Sequence, residues 1–173
     1  MALSAERIVE TAHELLSHYG LQDVTMRRLA AELGVRPGAL YYHVGSKQDV
    51  LIAVARRVLR PLAGGPDGTA GAETIMLALR EEIIPLRDGG DLLLIAYALD
   101  QSIPPVPALI ESAQEEGIPA AGAEQRAALL MRFALGALAT EQNAALVLDE
   151  HADSSAGADI YLAGVRRLIG AAS

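Results

Sequence analysis

Cysteine is absent from the 173 residues, which excludes disulfides, thiolate metal sites, iron–sulfur clusters and a cysteine nucleophile. Tryptophan is absent too, and aromatics come to 3%, one Phe and five Tyr. With 51% apolar residues the chain has material for a core, but that core must be built from Ala, Leu, Ile and Val. Long apolar runs are missing. The longest stretch free of Asp, Glu, Lys and Arg is ten residues, against the ~18 that a membrane helix needs. Glu6, Arg7 and Glu10 stand where a secretory leader would carry its apolar segment, so a cytoplasmic protein with no membrane contact is expected. Strand grammar is lacking: no period-two run rich in Val, Ile, Thr and aromatics is sustained.

Signatures of catalysis are also missing. His13 and His18 are five apart, off one helical face, and no phosphate loop or Gly-x-Ser-x-Gly occurs. Glu81-Glu82 and Glu115-Glu116 are neighbours that point to different sides of a helix. No enzyme, no cofactor and no metal site is expected.

The net charge is −8, unevenly spread. Residues 1–60 hold eight basic and six acidic side chains, a balance of +2, whereas 61–173 carry −10. A basic end on an acidic body suggests a polyanion-binding head.

What is present is helical periodicity throughout. Ser4 caps a helix with Ile8, Ala12, Leu15 and Leu16 on one stripe, ended by Tyr19-Gly20. Thr25 caps a second, stopped by Gly34. Pro37 opens a third, which carries Leu40 through His43 and stops at Gly45. Ser46-Lys47-Gln48-Asp49 reads as a capping box for a fourth. The Pro- and Gly-rich tract 61–71 is the clearest linker. Further helices are expected at about 72–84, 91–101, 106–117, 123–149 and 157–172. The fold class is therefore all-α, with a helix-turn-helix head over 1–60 and an all-helical body over 61–173.

Residues 25–43 follow helix-turn-helix grammar. Gly34 can take the left-handed conformation of the tight turn, and Leu29, Leu33, Val35 and Leu40 close the core between the two helices. Such a unit places its second helix in the major groove of double-stranded DNA. Pro37, Gly38 and Ala39 keep that helix slim where it would meet bases, with Arg36 at its mouth. Tyr41, Tyr42, His43 and Lys47 are suited to phosphate oxygens.

The stretch Thr25–Lys47, above all Leu40-Tyr-Tyr-His-Val44 followed by Lys47, resembles the DNA-binding head of the tetracycline-repressor (TetR) family. The resemblance implies an all-α homodimer, usually a transcriptional repressor released from a palindromic operator by a small-molecule effector. It implies phosphate contacts from Thr25, Tyr41, Tyr42, His43 and Lys47. Base contacts are implied near Arg27, Arg36, Pro37, Gly38 and Ala39. A regulator acting constitutively, or under control of a protein partner, is the first alternative, and an enzyme with an incidental helix-turn-helix is the more distant one.

In the body, Phe133–Gln142 and Tyr161–Gly170 are similar to the last two helices of the family's tetracycline repressors, which pair with their copies at a dimer axis. Gly136, Thr140, Ala163 and Gly164 are the expected interface residues, since small side chains let helices approach. Leu92–Ile95 and Ala98 are apolar nearly all round, which predicts a buried helix. Tyr97 and Gln101 are its polar handles, and with Phe133 and Asn143 they form the expected effector pocket. Arg132 and Glu141 are expected at the surface or an interface. A tetracycline–magnesium effector is not expected. His151 is the body's one histidine, and Thr140 stands where the relatives' pocket carboxylate would align. A neutral or cationic apolar molecule fits better.

Overall fold

The computed structural model describes residues 3–64, 70–148 and 155–171. His151 and the middle of the predicted linker lie outside them. Among the described residues all regular structure is helical: α1 (Ala5–Tyr19), α2 (Met26–Glu32), α3 (Pro37–Leu40), α4 (Lys47–Val58), α5 (Ala72–Ile83), α6 (Gly89–Leu99), α7 (Val106–Glu115), α8 (Ala120–Leu148) and α9 (Ser155–Ala171). No helix among these residues is long and apolar enough to cross a membrane.

Local chemistry explains the helix ends. Ser4, Thr25 and Ser46 each accept the N–H three residues on, at 3.2, 3.1 and 3.1 Å, which removes one orphan donor per N-terminus. The expected capping box is one-sided: the Ser46 hydroxyl donates to the Asp49 carboxylate at 2.9 Å. Gly34, at φ 66°, closes α2. Its N–H donates to Ala31 O, and Val35 N–H donates to Ala30 O, the paired bonds of a left-handed helix stop.

One apolar core runs from the head into the body. Helix α4 packs on α1 on one side and on α6 on the other, which joins head and body. Two polar ties reinforce the junction. Arg56 of α4 pairs with Asp100 after α6 at 2.6 Å. Asp88, in the turn before α6, accepts the Leu21 N–H of the head at 2.7 Å.

The body is layered around α8, which packs on α6, α7 and α9. At Gly90 the α6 backbone lies directly on α8: a Cβ there would sit 2.7 Å from Ala139 Cα. Helix α6 is less buried than its sequence suggests. Leu92 and Leu93 are inside, but Leu94 is 43% exposed, because α8 covers only one flank.

Candidate nucleic-acid interface

The head presents one polar, open corner, residues 36–47. Its construction begins with Leu40, fully buried, which plugs α3 into the head. Pro37 fixes the first turn of α3, and Arg36, Pro37 and Gly38 are exposed at its mouth. The helix is shorter than expected. It ends at Leu40, and residues 41–43 form a turn in which His43 and Val44 both donate to Leu40 O, at 2.9 and 3.0 Å. With Leu40 and Val44 turned inward, the three residues between them point out. Tyr41 and His43 are exposed, and Tyr42 is 90% exposed. A tyrosine left this bare gains nothing from folding; its ring and hydroxyl are free for a partner.

Lys47 sits half-buried in the first turn of α4, beside unpaired N-terminal N–H groups. That pairing suits a phosphate. The Thr25 hydroxyl accepts Arg28 N–H and keeps its own hydrogen to donate. The two arginines of α2 divide. Arg27 is exposed, whereas Arg28 pairs with Asp23 and lies 4.2 Å from the Tyr19 ring centroid. Arg28 thus braces the head from within.

The four expected pocket residues stand in different settings. Tyr97 is buried in the core. Gln101 follows the end of α6 and is exposed. Phe133 lies 5.7 Å from the Tyr161 ring and packs α8 on α9. Asn143 faces outward, its Nδ2 donating to Ala139 O at 2.8 Å. Helix rotation and the real end of α6, neither fixed by periodicity alone, separate them.

The expected interface residues also divide. Gly136, Thr140 and Ala163 are exposed, and a Cβ on Gly136 would meet nothing within 4 Å. Gly164 is different: its Cβ would fall 2.2 Å from Phe133 Cζ, so its smallness serves α8–α9 packing inside one protomer. Glu141 is not a surface charge. It pairs at 2.6 Å with Arg80, which is buried. Tyr161, whose hydroxyl donates to Met76 O at 3.0 Å, lies close enough to feel that arginine. Burial pushes the phenol pKa well up, and the charge of Arg80 offsets this in part.

One structural clamp escapes sequence reading. Gln142, buried, donates through Nε2 to the carbonyls of Ile83, Ile84 and Leu86 (3.2, 3.0 and 2.8 Å) and accepts Gly90 N–H at 2.7 Å. It holds the whole α5–α6 turn. A glutamine inside a helical pattern carries no signal that would single it out. Among the described residues no three His, Cys, Asp or Glu gather into a metal site.

The family model for bacterial regulatory proteins of the tetR family matches residues 8–54, which span the helix-turn-helix and its supporting α1 and α4. The class C tetracycline repressor of Escherichia coli is 44% identical over 57 residues. That alignment covers 33% of this chain and only 26% of the repressor. Likeness extends over the whole chain in solved structures. The crystal structure of BioQ is 30% identical, covers 100% of this chain and 99% of that one, and superposes with a TM-score of 0.82. A crystal structure of BioQ with its double-stranded DNA operator is 29% identical over 99% of this chain and 98% of that one, with a TM-score of 0.81. Head, body and helix order agree with these relatives from end to end, and the chain belongs to the TetR family of bacterial regulatory proteins.

Proposed function

We propose that the chain is a homodimeric transcriptional repressor, not an enzyme, which works in the cytoplasm on a palindromic operator and is released by a small molecule. The observation that carries the reading is the 36–47 corner. Buried Leu40 and Val44 turn Tyr41, Tyr42 and His43 outward, between exposed Arg36 and Lys47 at the α4 N-terminus. The polar tips and Lys47 reach phosphates, while the slim Pro37-Gly38-Ala39 edge lets backbone and Arg36 approach bases. The BioQ relative has been crystallised with operator DNA, which supports double-stranded DNA as the partner of this chain.

The dimer reading rests on α8. Leu129, Gly136, Thr140, Ala144 and Val147 are all exposed and fall on one helical face. On α9, Ile160 and Ala163 are exposed beside them. An exposed stripe of small and apolar residues on this side of α8 and α9 suits a second copy.

Fluorescence anisotropy with DNA from upstream of the protein's own gene tests the reading. A palindromic fragment is expected to bind at least a hundredfold more tightly than random duplex. Arg36→Ala should erode that preference at one base pair per half-site, costing ~1–3 kcal/mol. Equal affinity for both duplexes would overturn the proposal.

A further inference from the structure

The α5–α6 turn closes one side of a cleft of about 280 Å³. Ser17 of α1 forms its head-side lip, and Asn143 and Leu146 of α8 its far wall. The cleft is not in the body interior. It lies where the head meets the turn, which Gln142 fastens to α8 and Asp88 fastens to Leu21.

Most of the polar groups around it offer acceptors. The Ser17 hydroxyl spends its hydrogen on His13 O at 2.9 Å. The Asn143 amide turns its Nδ2 to Ala139 O, which leaves Oδ1 on the other branch. Arg87 also lines the cleft and reaches across to the head, where it donates to His18 O at 3.4 Å. Asp91, half-buried at the start of α6, receives no hydrogen bond from any described residue. Asp88 receives one, on Oδ2. Apart from Arg87 and the second Nδ2 hydrogen of Asn143, the remaining polar surface is made of acceptors, two of them carboxylates, against an apolar wall of Pro85, Leu86 and Leu146.

The geometry points to this cleft as a binding site for a small amphipathic amine. The ammonium sits at Asp91 and the apolar body lies on Pro85 and Leu146. A guest here wedges between α1 and the turn that holds it, so binding shifts the head. The inference deepens the repressor reading by giving its effector a place and a chemistry, and it rests on that reading only for the release of DNA.

The chain has no tryptophan, which makes a site-specific reporter available. Leu146, 70% exposed, is replaced in Leu146→Trp, and Leu129→Trp on the same helix serves as a remote control. The probes are three cages of one shape: 1-adamantylamine, 1-adamantanol and adamantane-1-carboxylate. Calorimetry on the unsubstituted dimer guards against an indole that fills the cleft. The amine is expected to bind about tenfold more tightly than the alcohol, and more tightly still than the carboxylate. It should change the indole emission of the Leu146→Trp chain but not that of the Leu129→Trp chain, and Asp91→Asn should bring amine and alcohol level. Absence of heat with millimolar amine, equal binding of the carboxylate, or an unaltered amine preference in Asp91→Asn each overturns the site. Operator binding without any cage is measured in parallel. Its loss condemns the repressor reading while the cleft is still read, and its presence with a silent cleft condemns the cleft alone.

Discussion

At Asp88 the backbone is left-handed, φ 52°, a conformation that costs an L-residue ~1–2 kcal/mol. Its carboxylate accepts the Leu21 N–H, and Gly20 opposite leaves room, since a Cβ there would come within 2.5 Å of Asp88 Oδ2. The strain is thus held by a contact between head and body. Asp88→Ala keeps the strained φ and removes the acceptor, so urea unfolding should show a loss of ~1–3 kcal/mol. Asp88→Asn keeps an acceptor on a side chain that tolerates this backbone and should lose well under half of that. Equal losses would mean that the carboxylate's contact with Leu21 contributes nothing. Tyr42 makes the opposite case. At 90% exposure it packs on nothing, so Tyr42→Ala should leave the unfolding midpoint in place while weakening operator binding severalfold in anisotropy.

Between elements, the α4–α6 junction carries a pH signature. The hydrogen bond from the Ser102 hydroxyl, and then the one from Arg56, hold the Asp100 carboxyl down to about 2 from its ordinary value of 3.8. A carboxyl depressed on folding stabilises the fold above its unfolded pKa, and that contribution is lost as pH falls through the folded value. The window is therefore about pH 4 down to 2. In Arg56→Ala the thermal midpoint should fall less steeply across it than in the unsubstituted chain, and an unchanged slope would remove this pair from the junction. Helices are legible wherever a cap or stop is chemically singular: Ser4, Thr25, Gly34 and Ser46 all mark real ends. What sequence cannot supply is rotation. Phe133 and Asn143 differ by ten positions on α8, and only packing decides that one meets Tyr161 and the other faces out. Gly164 shows the same limit. Its smallness is visible, but Phe133, not a second chain, is what fills the space above it.

For the whole molecule, affinity for DNA depends on having two heads. Each covers one half-site, and a second head on a shared two-fold axis binds as if at millimolar local concentration. The joint is expected along the exposed face of α8. Gly136 lies at its middle, with open space above it in a single protomer. Gly136→Arg adds a long charged side chain there without touching the protomer's own core, and replacing glycine inside a helix favours that helix by up to ~1 kcal/mol. The substituted protomer should therefore stay folded by circular dichroism. In a close helix-to-helix contact, however, the same arginine is a buried charge with no partner. Light scattering should show the unsubstituted chain as a dimer at micromolar concentration and Gly136→Arg as a monomer. Operator affinity should fall by ~10²-fold or more, and the dependence of log K on log salt should lose about half its slope, because half the phosphate contacts go with the second head. A Gly136→Arg chain that remains dimeric would move the joint off this face of α8. One that is monomeric yet keeps full affinity would mean that a single head suffices, and the palindromic operator would go with it.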